Sequence, residues 1–473
     1  MPTAERAGVA VIGGGITGLA AAHDLAAAGV PFRLYEAQPR WGGVIRTERA
    51  AGFLLEGGPD SIFAQKPDGL ALCRDVGLGE SLVPTSAPRT IYVLRRGKLH
   101  PLPEGVLGIP NRIGPFVRTG LFSWRGKLRM ALDLVAPRAA RADESIASFL
   151  RRRLGQEAVD LLGQPLMAGI HSGDPERLSL PATFPRLAGL EARHRSLLRG
   201  FRAAARANSG ESPRAAASSA SAFVSLKDGL GTLVEALLSR LPPASLRPGT
   251  AVASLTRTGS AFSLRTADGG RDVATAVILA VPAPRASAML AELDPDLAGL
   301  LSAIPFVSTA AVFLGYRRAD VAHPLDGHGV MFPWTEGLRT NACTFFSSKF
   351  PGRAPEGHVL LRGFLGSTRD AQVLESTDAD LVRIVREELA PLLGLRGEPV
   401  LVRVYRWPGG TPQMEVGHLG RMARVEARLA ACPGLLLAGA GLRGVGLPDC
   451  IADGRAAAAA ARTLLSGGSS GGS

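Results

Sequence analysis

The first sixty residues alternate between two kinds of apolar pattern. Val9-Ala10-Val11-Ile12 is a short unbroken run, as expected of a strand buried on both faces, and it ends in Gly13-Gly14-Gly15-Ile16-Thr17-Gly18. An apolar stretch of helical character follows, and Leu34-Tyr35-Glu36 closes a second short strand. The predicted order is strand, glycine turn, helix, strand. Gly13 permits the tight turn, Gly15 lets backbone approach a pyrophosphate, and Gly18 allows close helix packing. Glu36, about 20 residues on, stands where a ribose diol is read, and its charge argues against a 2′-phosphate and so against NADP. The three glycines alone are a weak signal. With the flanking strand, helix and acid they predict dinucleotide binding.

Just past the second strand, Glu36-Ala37 leads into Arg40-Trp41-Gly42-Gly43-Val44-Ile45-Arg46, a second glycine pair with two arginines. This extension is typical of FAD proteins. Phe53-Leu54-Leu55-Glu56 then runs into Gly57-Gly58-Pro59-Asp60, a strand ending in a bare-backbone turn suited to a flat ring. Near the other end, Leu435 to Gly439 reads as a buried strand, and Gly444-Val445-Gly446-Leu447-Pro448 opens an alanine-rich helix, again an anion site. Glycine turns at opposite ends of the chain imply one flavin domain built from separated segments. The fold class expected is α/β. A discontinuous Rossmann-like FAD-binding domain spans 1–90, 223–285 and 406–465, with an inserted α+β substrate domain at 286–405. A helical domain spans 91–207, a Ser/Ala/Gly-rich loop 208–222, and a Gly/Ser tail 466–473.

At 473 residues the chain exceeds one ordinary core, so two or three domains are expected. No apolar run reaches membrane-spanning length, and the apolar N-terminal region is the nucleotide fold, so a cytoplasmic protein that neither spans a membrane nor is secreted is expected. Cys73, Cys343, Cys432 and Cys450 are widely spaced, without metal spacing, and read as reduced thiols. The net charge of +13 is unevenly distributed: residues 117–153 hold nine basic against three acidic side chains. That asymmetry suits an anionic surface or substrate, with a solvated helix face as the alternative. Nucleic acid is not expected, because the basic stretches lack stacking aromatics.

Beyond the nucleotide motif, Arg89-Thr90-Ile91-Tyr92-Val93, the segment Pro165 to Ser179 (PLMAGIHSGDPERLS), His194-Arg195-Ser196-Leu197 and the terminal GVGLPDC resemble the FAD-dependent porphyrinogen oxidases, within the amine oxidase superfamily. The resemblance implies six-electron oxidation of protoporphyrinogen IX to protoporphyrin IX, with oxygen as acceptor, in haem biosynthesis. The flavin carries the redox chemistry, so no obligatory protein acid, base or nucleophile is implied. For FAD it implies Gly13, Gly14, Gly15, Ile16, Thr17, Gly18, Glu36, Ala37, Arg40, Gly42, Gly43, Gly57, Gly58, Pro59 and Asp60. Val252 joins these at the adenine, Gly446, Leu447 and Pro448 at the inner phosphate and isoalloxazine, and Trp407 beside the ring. For the substrate it implies Arg89 on a propionate, Gly169 through its carbonyl at the reacting edge, and Met331, Phe345 and Phe364 as apolar walls. His171 lies beside that turn, with a packing role as its alternative.

The basic region with Phe116, Leu121, Phe122 and Trp124 suits peripheral attachment at the inner face of the cell membrane, or else the substrate entrance or a homodimer contact. The nearest rival substrate is coproporphyrinogen III, with four propionates instead of two, for which Arg339 or Arg362 would supply the extra charge. An amine oxidase is disfavoured, because no aromatic residue follows Trp407 and the surroundings of Lys349 do not match a flavin-side lysine. A non-catalytic FAD scaffold is the remaining alternative.

Overall fold

The computed structural model describes residues 7–103, 105–106, 109–110, 113–137, 143–208 and 221–467. Most of the 208–222 loop and of the 466–473 tail lies outside the described residues. Strand β1 (Ala7–Ile12), helix α1 (Ile16–Ala27) and strand β2 (Phe32–Tyr35) form in the predicted order. β1 pairs in parallel with β2 on one side and with the strand Arg271–Leu279 on the other. That central place explains the unbroken apolar run: Val9, Ala10, Val11 and Ile12 are between 0 and 3% exposed. The short strand Leu435–Leu437, more than 420 residues after β1 in the chain, adds in parallel to Arg271–Leu279, so segments near the two ends of the sequence meet in one sheet. Strands Val252–Thr258 and Ala261–Thr266 extend it in antiparallel fashion, making the sheet mixed.

The C-terminal helix Leu447–Gly467 crosses α1 closely, since a Cβ on Gly454 would stand 2.3 Å from the Thr17 carbonyl oxygen. Small residues Ala457, Ala458 and Ala461 bury the contact. The fold is thus α/β with mixed sheets.

A second mixed sheet has the order 401–412, 306–317, 358–365, 342–345, 329–331, 91–95, 98–101. Its two edges depart from the expected segment limits. The hairpin Ile91–Arg95 and Lys98–Pro101, expected with the helices, pairs instead with Gly329–Met331. At the far edge Leu401–Pro412 crosses the 405/406 limit as one strand. The pairing partners lie more than 200 residues apart at the first edge and about 100 apart at the second, and such separations leave no local signature in the chain.

One face of this sheet is closed by the helix Asp378–Leu393, packed on Val312, Leu314, Phe345, Leu361 and Leu365. The other face meets the hairpin β3 (Thr47–Ala50) and β4 (Phe53–Glu56), through Phe53 and Leu55, and the helices of residues 146–201. Those helices are tied internally by Arg153, fully buried with Glu191 and Asp133 as partners. Among the described residues no helix is long and apolar enough to cross a membrane. All four cysteines are free thiols, and burial pushes those of Cys73 and Cys343 up, to about 11 and about 12.

Candidate functional site

The turn between β1 and α1 is shaped by backbone, not by side chains. Gly13 sits at φ +112°, and a Cβ there would stand 2.4 Å from the Ala280 carbonyl oxygen. A Cβ on Gly18 would stand 1.9 Å from the Gly13 carbonyl oxygen, so nothing larger lets α1 start here. Gly15 is different: a Cβ would find only Gly43 Cα, at 4.0 Å, which leaves one side of its backbone open. Ile16 and Thr17 begin α1, whose N-terminal N–H groups favour an anion in that opening. The second glycine pair locks onto the first, as the Gly42 N–H donates to the Gly14 carbonyl at 2.8 Å. The Arg40 guanidinium holds the loop closed by donating to the Trp41, Gly43 and Ile45 carbonyls.

Glu36 lies at the end of β2, accepting the Gly14 N–H and the Gln38 N–H, each at 2.8 Å. Ala37 is exposed beside it. The Thr250 N–H donates to the Glu36 carbonyl, which brings the start of the strand carrying Val252 next to the acid. Phosphate turn, acid and Val252 therefore converge on one side of the first sheet.

The Gly57-Gly58-Pro59-Asp60 turn lies between the two sheets. A Cβ on Gly58 would stand 1.8 Å from the Val44 carbonyl oxygen, which seats the turn against the second glycine loop. From the other sheet, Trp407 Nε1 donates to the Gly57 carbonyl at 2.7 Å and Arg362 Nη2 to the Gly58 carbonyl at 2.6 Å. Lys349 Nζ bridges both Asp60 carboxylate oxygens at 2.8 and 3.0 Å, with Arg362 also close at 3.9 Å. Burial opposes the Asp60 charge, yet Lys349 and Arg362 overcome it and hold the carboxyl down at about 2. Lys349 is thus committed to Asp60, against a flavin-side amine oxidase role. At the start of the C-terminal helix, Asp449 Oδ2 accepts the Gly446 N–H and Asp449 pairs with Lys66.

Facing this turn is one side of the second sheet. Register places Val93, Met331, Ala342, Phe364, Ala311 and Tyr405 in one row across it, and Ile91, Gly329, Thr344 and Arg362 in the next. Met331 and Phe364 are therefore brought together, as expected. Phe345 is not: it is fully buried on the opposite face, against the helix Asp378–Leu393. Successive strand residues alternate faces, so Thr344 takes the position expected of Phe345. No sequence signal named Thr344, because an isolated four-residue strand does not reveal which of its faces looks inward.

The helix Gln164–His171 closes the end of this face. A Cβ on Gly169 would meet nothing within 4 Å, and its neighbour Ile170 is 53% exposed. Arg89 is exposed and, among the described residues, hydrogen-bonded only to Thr85, so its guanidinium is open to a carboxylate. The two arginines expected as extra anchors are spent elsewhere. Arg339 forms a two-pronged pair with Asp370 at 2.9 and 3.2 Å, and Arg362 serves Gly58 and Asp60. His171 packs edge-on against Phe184, and burial, with Lys66 nearby, lowers its pKa to about 4. It is a neutral packing residue.

A glycine-lined strand end and an apolar sheet face meet at a glycine turn gripped from both sides. Residues 16–462 match the flavin-containing amine oxidoreductase family. The chain belongs to that family. Its flavin is FAD, which the glycine cradle, the acid at β2 and the open side of Gly15 fit. Among its relatives, the coproporphyrinogen III oxidase of Bacillus subtilis is 39% identical, with 97% of this chain and 98% of that protein covered. The chloroplastic protoporphyrinogen oxidase 1 of Arabidopsis thaliana is 32% identical over 93% of this chain and 85% of its own length. A crystal structure assigned as a protoporphyrinogen oxidase, from Exiguobacterium sp. 255-15, superposes with a TM-score of 0.84 at 32% identity, covering 98% of this chain and all of that one.

Proposed function

We propose that the protein oxidises a porphyrinogen to the porphyrin, with coproporphyrinogen III ahead of protoporphyrinogen IX as substrate. The observation that carries the reading is the near end-to-end match to coproporphyrinogen III oxidases, at 39% identity in one case and 37% in another. The dicarboxylate remains the second reading, favoured by plant relatives at 30 to 32%. Six hydrogens leave the substrate in three two-electron steps, and three molecules of oxygen take them up as hydrogen peroxide. Bound FAD supplies the two-electron acceptor.

The chain's own residues bind and orient. In this reading Gly13 to Gly18 with Arg40, Gly42 and Gly43 hold the pyrophosphate, and Glu36, Ala37 and Val252 the adenosine. Gly57 to Asp60, Trp407 and Gly446 to Pro448 surround the isoalloxazine. Met331 and Phe364 wall the substrate, Arg89 takes a propionate through paired hydrogen bonds, and the Gly169 carbonyl faces the reacting edge. The substrate portion (286–405, with the hairpin of residues 91–101) and the helical portion thus act as insertions between segments of the FAD-binding part.

Peripheral membrane attachment belongs to the same reading. Of the patch expected from the sequence only Trp124 is exposed: Leu121 and Phe122 are 0 and 3% exposed in the core of the helical portion, with Phe116 packed against them. The exposed stripe is instead Trp124, Leu128, Leu132 and Val135, 67, 69, 53 and 76% exposed at near-helical spacing, beside Arg118 and Arg125. Such a stripe suits an anionic bilayer surface. Flotation with anionic but not neutral vesicles is expected, and a dimer that dissociates on Leu128→Asp, without flotation, would replace it. The activity test mixes each anaerobically prepared porphyrinogen with holoenzyme in air and follows porphyrin fluorescence. Faster oxidation of the tetracarboxylate is expected; rates no higher than autoxidation for both would refute the reading.

A further inference from the structure

Strands Ile91–Arg95, Gly329–Met331 and His358–Leu365 all run in the same direction, since the first two pair in parallel and the last two each pair antiparallel to Ala342–Phe345. Arg89 precedes the first of them and so lies at the starting end of the sheet face. Trp334 and Arg369 follow the other two by three and four residues and so lie at the finishing end. There the Arg369 guanidinium stacks on the Trp334 ring, 4.4 Å from its centroid. Both are fastened to the helix that carries Gly169 and Ile170: Gln164 Oε1 accepts the Trp334 N–H at 2.6 Å, and the Ser172 carbonyl accepts the Thr368 N–H at 3.3 Å.

The charges around Arg369 are arranged to leave it free. Its neighbour Asp370 is taken by Arg339, and Arg369, which is exposed, has no carboxylate or hydrogen-bond partner for its side chain among the described residues. Lys349 is paired with Asp60, and Arg362 is held by Asp60 and by the Gly58 carbonyl. Of the cations named on this sheet, Arg89 and Arg369 are therefore the two open to a ligand, one at each end. Between their levels lie at least five residues of strand, roughly 16 Å, comparable to the span of a tetrapyrrole between opposite propionates.

We infer that Arg369, stacked on Trp334, is a specificity-determining residue that receives a carboxylate at the substrate edge opposite the one held by Arg89. The inference rests on the porphyrinogen reading above and deepens it. Protoporphyrinogen carries its two propionates on adjacent pyrroles, so one end of the pocket serves both. Coproporphyrinogen carries a propionate on each of four pyrroles, so its far edge buries charge unless a cation waits there. A guanidinium preorganised on an indole face meets that need at low entropic cost.

The test compares wild-type holoenzyme with Arg369→Gln and Arg369→Lys. Binding of coproporphyrin III and of protoporphyrin IX is followed by porphyrin fluorescence, and KM and kcat are measured for both porphyrinogens. Arg369→Gln is expected to weaken coproporphyrin III binding and raise its porphyrinogen's KM by about fivefold, equivalent to about 1 kcal/mol. Protoporphyrin is expected to change by less than a factor of about two, kcat to hold, and Arg369→Lys to recover part of the loss. Equal effects on both porphyrins, no effect on either, or a wild type without preference for the tetracarboxylate would each overturn the inference. The functional reading fails separately, if wild type oxidises neither porphyrinogen above autoxidation; selective loss of coproporphyrin binding would still support the anchor.

Discussion

The two halves of the site are built from different materials. The nucleotide half is made of backbone: glycines whose missing Cβ atoms let chain segments approach, and N–H and carbonyl groups that join the turns. The half proposed for the substrate is a sheet face made of side chains, in which neighbouring residues point to opposite sides. Arg362 and Trp407 join the halves by donating to the two carbonyls of the Gly57-Gly58 turn. A backbone site fails when atoms are added, whereas a side-chain site fails when they are removed.

The sharpest way to break that comparison is inside the glycine turn. Gly18→Ala places a methyl 1.9 Å from the Gly13 oxygen and is expected to abolish folded, yellow protein. Gly15→Ala has no such clash, so it should yield folded protein with wild-type thermal stability but FAD affinity lowered by tenfold or more (~1.4 kcal/mol), read by flavin titration. If both variants lose stability alike, the open side of Gly15 is not where the cofactor passes.

On the sheet face the pair is Phe345 and Phe364. Phe345→Ala empties a fully buried site and should cost about 3–5 kcal/mol in denaturant unfolding, with KM unchanged in whatever folds. Phe364→Ala, on the partly exposed inner row, should cost much less stability and raise KM severalfold. The reverse outcome would mean that the strand face is misassigned.

A smaller effect follows from His171. Its folded pKa of about 4 lies below the ordinary 6.5, because burial, with Lys66 nearby, opposes the imidazolium. The stability that neutrality confers is complete above pH 6.5 and is lost as pH falls toward 4, by about 3 kcal/mol at most. In His171→Phe that pH dependence should disappear, so on acidification between those limits the wild-type melting temperature should fall relative to that of the variant. Smallest of all, Trp407→Phe removes one hydrogen bond to the Gly57 carbonyl and should cost about 1 kcal/mol, with flavin fluorescence altered.

The cofactor half was legible because its reasons are local. A turn, a helix start and a strand end lie within forty residues, and glycine is required wherever a Cβ would collide, whatever the rest of the chain does. The substrate half was legible only in outline. Met331 and Phe364 do share this face, with Arg89 before its first strand, yet Phe345 lies on the opposite face where Thr344 stands inward, and Arg339 and Arg362 are engaged by acids. Sequence by itself determined the nucleotide turn, the acid that follows it, the return of the chain's end to the same sheet and the α/β class. Only the tertiary structure decided which face each short strand shows, that residues 91–101 join the second sheet, and which arginines keep a free guanidinium. Those outcomes depend on register and on acids tens to hundreds of residues away, and no local pattern encodes either.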